Sequence, residues 1–109
     1  MGIYYIIAND AKREYIDPHD LGGGAKFLEL FGSKASDALL WLLWPHGQQG
    51  MKGRWNGDAV RLVPDCTGSY EAVVFGRSDP TGKHFSGKYR NISDAVTGEM
   101  SEFWKERRQ

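Results

Sequence analysis

Apolar positions in this chain come in short runs, separated by glycine, proline and Asn/Asp residues, and the period inside each run predicts its element. Residues 3–8 (Ile-Tyr-Tyr-Ile-Ile-Ala) are β-branched and aromatic. Asn9-Asp10-Ala11-Lys12 supplies turn chemistry, and residues 13–16 form a second short run. That order predicts an opening β-hairpin. Asp17-Pro18 ends it, because proline lacks an amide proton and restricts the residue before it. After the loop His19-Asp20-Leu21-Gly22-Gly23-Gly24, Phe27, Leu28, Leu30 and Phe31 fit one helical face. The run is also short enough for a strand, and the helix is the preferred reading.

Gly32 closes that segment, and Ser33 or Ser36 can cap a second helix carrying Leu39, Leu40, Leu42 and Leu43, which Pro45 terminates. This helix is apolar nearly all round, so it is expected at the centre of the core. Residues 59–63 alternate as a strand closed by Pro64-Asp65, and residues 70–75 read as another strand. Residues 76–87 hold Ser, Asp, Pro, Thr and Gly without periodicity, as a long binding loop does, and residues 88–92 suit a last short strand. Ser93-Asp94 then starts a helix whose stripe is Val96, Met100, Phe103 and Trp104, with Lys105, Arg107 and Arg108 near its C-terminal end. The fold class expected is α+β: a small antiparallel sheet with two or three helices packed on one face.

At 109 residues the chain is the size of one domain, and its 40% hydrophobic content can close a core without staples. Fourteen Lys and Arg balance fourteen Asp and Glu, which leaves no overall basic field for non-specific nucleic-acid or membrane binding. The one cysteine, Cys66, excludes an intramolecular disulfide and a Cys-based zinc cluster and suits a reducing compartment. Residues 1–8 carry no basic leader, and residues 38–44 are the longest apolar run, too short to cross a bilayer. A cytoplasmic protein is expected, without membrane contact.

Candidate chemistry is sparse. Gly22-Gly23-Gly24-Ala25-Lys26 ahead of a helix resembles an anion cradle, but it has the spacing of neither a Walker loop nor a dinucleotide fingerprint. His19, His46 and His84 are too far apart for a helical metal pair, and Asp17, Asp20 and His19 read as an Asx-turn loop as readily as a ligand set. Neither an enzyme nor a resident cofactor or metal is expected.

Two segments carry binding chemistry instead. Residues 44–58 form a glycine-rich loop with a tryptophan near each end. Rigid aromatics and cations in such a loop are costly unless docked or used, which makes Trp44, Met51, Arg54 and Trp55 the candidate partner-binding set. Trp41 and Trp104 lie on apolar helix faces and are expected in the core, so Trp104→Ala should cost far more stability than Trp55→Ala. The second segment interleaves Arg77, Lys83, Lys88 and Arg90 with Phe85 and Tyr89; together with Lys52 it has the make-up of a nucleotide or other anionic-ligand site.

Residues 4–9, 12–20 and 24–29, with Gly53-Arg54-Trp55-Asn56-Gly57-Asp58 running on to Asp65, and residues 89–100, are together similar to a group of small uncharacterised bacterial and phage proteins without an established activity. The resemblance covers roughly half the chain and leaves out the middle of the glycine loop. It implies a compact stand-alone accessory protein, of a type that works by occupying a host surface or sequestering a small nucleotide, and the leading reading is a non-enzymatic counter-defence inhibitor of the anti-CRISPR kind that blocks a host protein or complex. The alternative is a binder of a nucleotide or cyclic nucleotide.

Overall fold

In the computed structural model residues 3–66, 68–76 and 89–107 are described, with the backbone alone described at 68, 69, 106 and 107. Strands β1 (Tyr5–Asn9) and β2 (Glu14–Ile16) form the expected hairpin, Ile7 opposite Ile16 and Ala8 opposite Tyr15. The turn is fixed by Asn9, whose side-chain oxygen accepts the Lys12 amide at 3.1 Å. Strand β3 (Arg61–Pro64) pairs antiparallel with the other side of β1. Asp65 donates its amide to the Tyr4 carbonyl at 2.9 Å, and bonded pairs alternate along an antiparallel ladder. Pro64 therefore sits where the backbone faces away from β1, and its missing donor costs the ladder nothing.

The sheet order is β3-β1-β2-β4, with β4 (Arg90–Asn91) parallel to β2, so the sheet is mixed and not wholly antiparallel. Strands β3 and β4 run in the same direction on opposite edges, which requires a crossover between them. Helix α2 (Gly68–Phe75) lies in that crossover, where the run 70–75 had suggested a strand. A continuous apolar run this short does not distinguish helix from strand by period. The discriminating residue is Gly76, which accepts φ +73° and donates its amide to Ala72 O at 3.0 Å, a glycine stop for a helix.

Successive residues of a strand face opposite sides, so Ile6-Ile7-Ala8 feeds two cores. On one side Ile7 and Ile16 meet Leu21, Leu30, Ala35, Ala38, Leu42, Trp55, Ile92, Val96 and Met100. On the other, Ile6, Ala8, Tyr15 and Val63 pack with Val73 of α2 and with Tyr89. The fold is α+β, as expected, but its helices lie on both faces of the sheet.

Helix α1 (Lys34–Leu42) is capped by Ser33, whose Oγ accepts the Ala35 amide while its own amide donates to Ser36 Oγ. It buries only Ala35, Ala38 and Leu42; Leu40 is 69% exposed, so the helix is not enclosed all round. The helix expected across residues 25–31 is a single 3-10 turn, Phe27–Leu30, with Leu30 its one buried residue. Helix α3 (Ser93–Arg107) follows β4, and Ser93 Oγ accepts the Asp17 amide at 2.8 Å, fastening the helix start to the end of the hairpin.

Candidate functional site

Two buried or half-buried carboxylates decide what the glycine-rich loop, residues 44–58, can do. Glu14 on β2 points inward beside Ile16, and a charge at such a position must be paired. Arg54 donates Nε at 2.9 Å to both carboxylate oxygens and an NH2 at 2.7 Å, and Trp55 donates Nε1 at 2.9 Å. Arg90 adds a contact at 3.1 Å from β4. Burial pushes the Glu14 carboxyl up, but the hydrogen bonds from Arg54 and Trp55 and the charges of Arg54 and Arg90 outweigh it and hold it below the ordinary glutamate value. Trp55 is 0% exposed, and its amide donates to Leu42 O at 2.8 Å.

The loop's other half is held by Glu99 of α3. Its carboxylate accepts Trp41 Nε1, the Met51 amide and the Lys52 amide, each at 2.8 Å. Close backbone approach completes the loop. Gly53 has φ +80°, and a Cβ there would lie 2.7 Å from the Gly47 carbonyl oxygen. Gly53→Ala is thus expected to cost at least about 1–2 kcal/mol from the left-handed conformation alone, with the clash added. Urea denaturation measures it; a neutral result would show that the loop is not held in this form.

This stapling exposes a different set of residues from the one the sequence suggested. Trp44 is 39% exposed, beside Leu40 of α1, and Trp104 of α3 is 58% exposed. Between them the rings of Trp41 and Phe103 meet edge to face at 5.2 Å, and Phe103 and Trp104 at 5.6 Å. The Lys52 ammonium lies over three rings, 4.3 Å from the centroid of Trp44, 5.1 Å from Trp41 and 5.3 Å from Phe103. A hollow of about 480 Å³ opens here, lined by Leu40, Trp41, Trp44, Lys52, Phe103 and Trp104 with Asp37 and Met100. It shares Asp37, Met100 and Trp104 with a neighbouring groove of about 640 Å³ that includes Lys34, Thr97, Ser101 and Lys105. Exposed apolar groups gathered this way mark contact surfaces more often than scattered single ones do.

Of the expected partner-binding residues, Trp44 lies on this surface. Met51 is half-buried against the first core, Arg54 is bound to Glu14, and Trp55 is core, so the last two are structural rather than contact residues. Trp104, expected in the core, is exposed instead. Helix α3 makes one turn every 3.6 residues, and Trp104 falls between the Met100 stripe and the polar row of Thr97 and Ser101, at the edge of the apolar face. Glu99 carries no signal in the sequence, and Leu40 and Phe103 read there only as apolar helix positions, not as contact residues.

Of the anionic-ligand candidates, Arg77, Lys83, Phe85 and Lys88 lie outside the described residues, as does His84. Tyr89 is buried and donates its hydroxyl to Asp10 at 2.6 Å. Arg54 and Arg90 do meet, but the anion they share is the protein's own Glu14. The apparent anion cradle is likewise internally used: Gly22 and Gly23 donate their amides to His19 O and Pro18 O, and Glu29 Oε1 accepts the Lys26 amide at 3.0 Å. A Cβ on Gly24 would collide with that carboxylate.

The His19 ring packs on Tyr4 and the His46 ring on Trp44. Burial, more than the nearby Asp20, raises the Asp17 carboxyl, against the stabilising His19 amide. Among the described residues, no three His, Cys, Asp or Glu side chains gather as a metal site requires, and no helix is long and apolar enough to cross a membrane. Comparison with family models, with curated proteins and with solved structures finds no match to this chain.

Proposed function

We propose that this chain is a non-enzymatic binding protein that acts by occupying the surface of a partner protein, with the α1–α3 aromatic surface as its contact face. The observation that carries the reading is the exposure of Leu40, Trp44 and Trp104 together on one side of the molecule, backed by Trp41 and Phe103. Tryptophan concentrates binding energy at interfaces because it brings a large rigid apolar area with few rotatable bonds. Two helices and a loop tied down by Glu99 present these rings, so little ordering remains to oppose association. A standard interface takes about 800 Å² from each partner, an area that the two adjoining hollows and their rims suit.

An inhibitor of a host complex, as in anti-CRISPR-type counter-defence, works in this stoichiometric way and needs no catalytic residue. The exposed lone thiol of Cys66 is compatible with the reducing cytosol where such a target resides. The experiment is affinity capture from bacterial lysate with the wild-type chain, a Trp44→Ala/Trp104→Ala variant and a Leu62→Ala variant, in which the change lies in a different apolar hollow, lined by Phe27, Phe31 and Leu62. One partner retained at a one-to-one ratio by the wild type and by Leu62→Ala, but lost by the double variant at unchanged melting temperature, is the expected result. Equal retention by all three would overturn the assignment of the surface.

A further inference from the structure

The geometry points to the Trp41–Trp44–Phe103 cluster as a cage for a cationic side chain of the partner protein, with Lys52 as its resident stand-in. This rests on the docking reading above and names the chemistry at its centre. Rings attract a cation over their faces through the quadrupole, at centroid distances up to about 6 Å. All three rings satisfy that distance for one ammonium group. The cage is therefore already shaped for a charge the size of a lysine head.

The surrounding charge favours such an occupant. Among the described residues, the hollow over the cage and the smaller one beside it are lined by Asp37, Glu99 and Glu102 with Lys52 as their cation, while Lys34 and Lys105 line the groove on the far side of Asp37. Among the described residues no carboxylate lies within ion-pair distance of the Lys52 ammonium, so the rings are its hold. Glu99 fixes the Lys52 backbone amide and leaves the four-carbon stem free to turn. An incoming lysine or arginine can take the same place while Lys52 swings out, keeping the aromatic faces covered and the carboxylates balanced. With Trp44 and Trp104 packing on apolar neighbours, the displaced lysine makes occupancy depend on a partner that brings its own cation.

Tetramethylammonium chloride is the probe, followed by tryptophan fluorescence against sodium chloride at equal ionic strength. Lys52→Ala, which removes the resident ammonium, is expected to show saturable quenching with an affinity about fivefold tighter than the wild type. Adding Trp44→Ala to that variant, which removes the nearest ring, should abolish the response. On the unaltered protein, NMR should show the Lys52 ε-methylene signals, shifted by ring currents, moving to solvent-exposed positions as the salt saturates. Absence of saturable binding to Lys52→Ala, equal affinity in variant and wild type, or Lys52 signals that stay in place would each overturn the proposal. These arms use no partner, so cage binding combined with failed capture would overturn the docking reading alone, and capture without cage binding would overturn this one.

Discussion

Trp55→Ala is expected to lose about 3–5 kcal/mol of folding stability, a large part of what a domain of this size has. Trp55 has no exposed surface and fills the centre of the core between the sheet and helices α1 and α3. Truncation leaves a cavity the backbone cannot close, because Arg54 and the Trp55 amide remain tied to Glu14 and Leu42 on either side. It also removes one of the donors to a buried carboxylate, which adds a desolvation penalty. Trp104→Ala, by contrast, trims a side chain that is 58% exposed and should cost less than about 1 kcal/mol. Trp55→Phe separates the contributions, since it keeps most of the volume and loses only the Nε1 donor. Urea titrations of the three variants measure the differences; equal losses at positions 55 and 104 would contradict the placement of both residues.

The local pattern made much of the fold legible. The hairpin, β3, the Ser33 cap and the start of α3 all follow from residues adjacent in sequence, where strand alternation, turn chemistry and capping act. What escaped was decided across the chain. A tryptophan in a glycine-rich loop has no periodicity to declare its burial, and its partner Glu14 lies forty-one residues earlier. One signal did exist, because Glu14 shares the inward face of its strand with Ile16, and a carboxylate there demands a cation from elsewhere. Arg54 and Arg90 answer that demand and so are not available as a pair for a partner or an anion. Trp104 shows the converse: it follows Met100 by four residues at the edge of the apolar stripe, beside the polar row of Thr97 and Ser101, and sequence spacing alone does not say which neighbour sets its exposure. Helix α2 escaped because four consecutive apolar residues fit either period, and only the glycine after them carried the answer.

The Glu14 carboxylate yields the second large effect. Glu14→Gln keeps the shape of the side chain but leaves Arg54 and Arg90 facing a neutral amide, one end of which presents donors to donors. Breaking a buried pair this way is expected to cost about 3 kcal/mol near neutral pH. The pH dependence gives the sign. The folded-state pKa lies below the ordinary glutamate value of 4.5, so the stabilisation is fully present above that value and is lost as the pH falls through the lowered one. Asp10, held down by its hydrogen bond from Arg61, and Asp58, held down by Lys12 and then Asn9, act in the same direction, so Glu14→Gln retains a residual acid slope. The gap between the wild-type and variant stability curves isolates Glu14: it should be wide at neutral pH and narrow steadily on acidification below about pH 4.5. Denaturant midpoints measured across that range test it. A gap that stays constant with pH would mean that the ionised carboxylate is not what holds Arg54 and Trp55 in place.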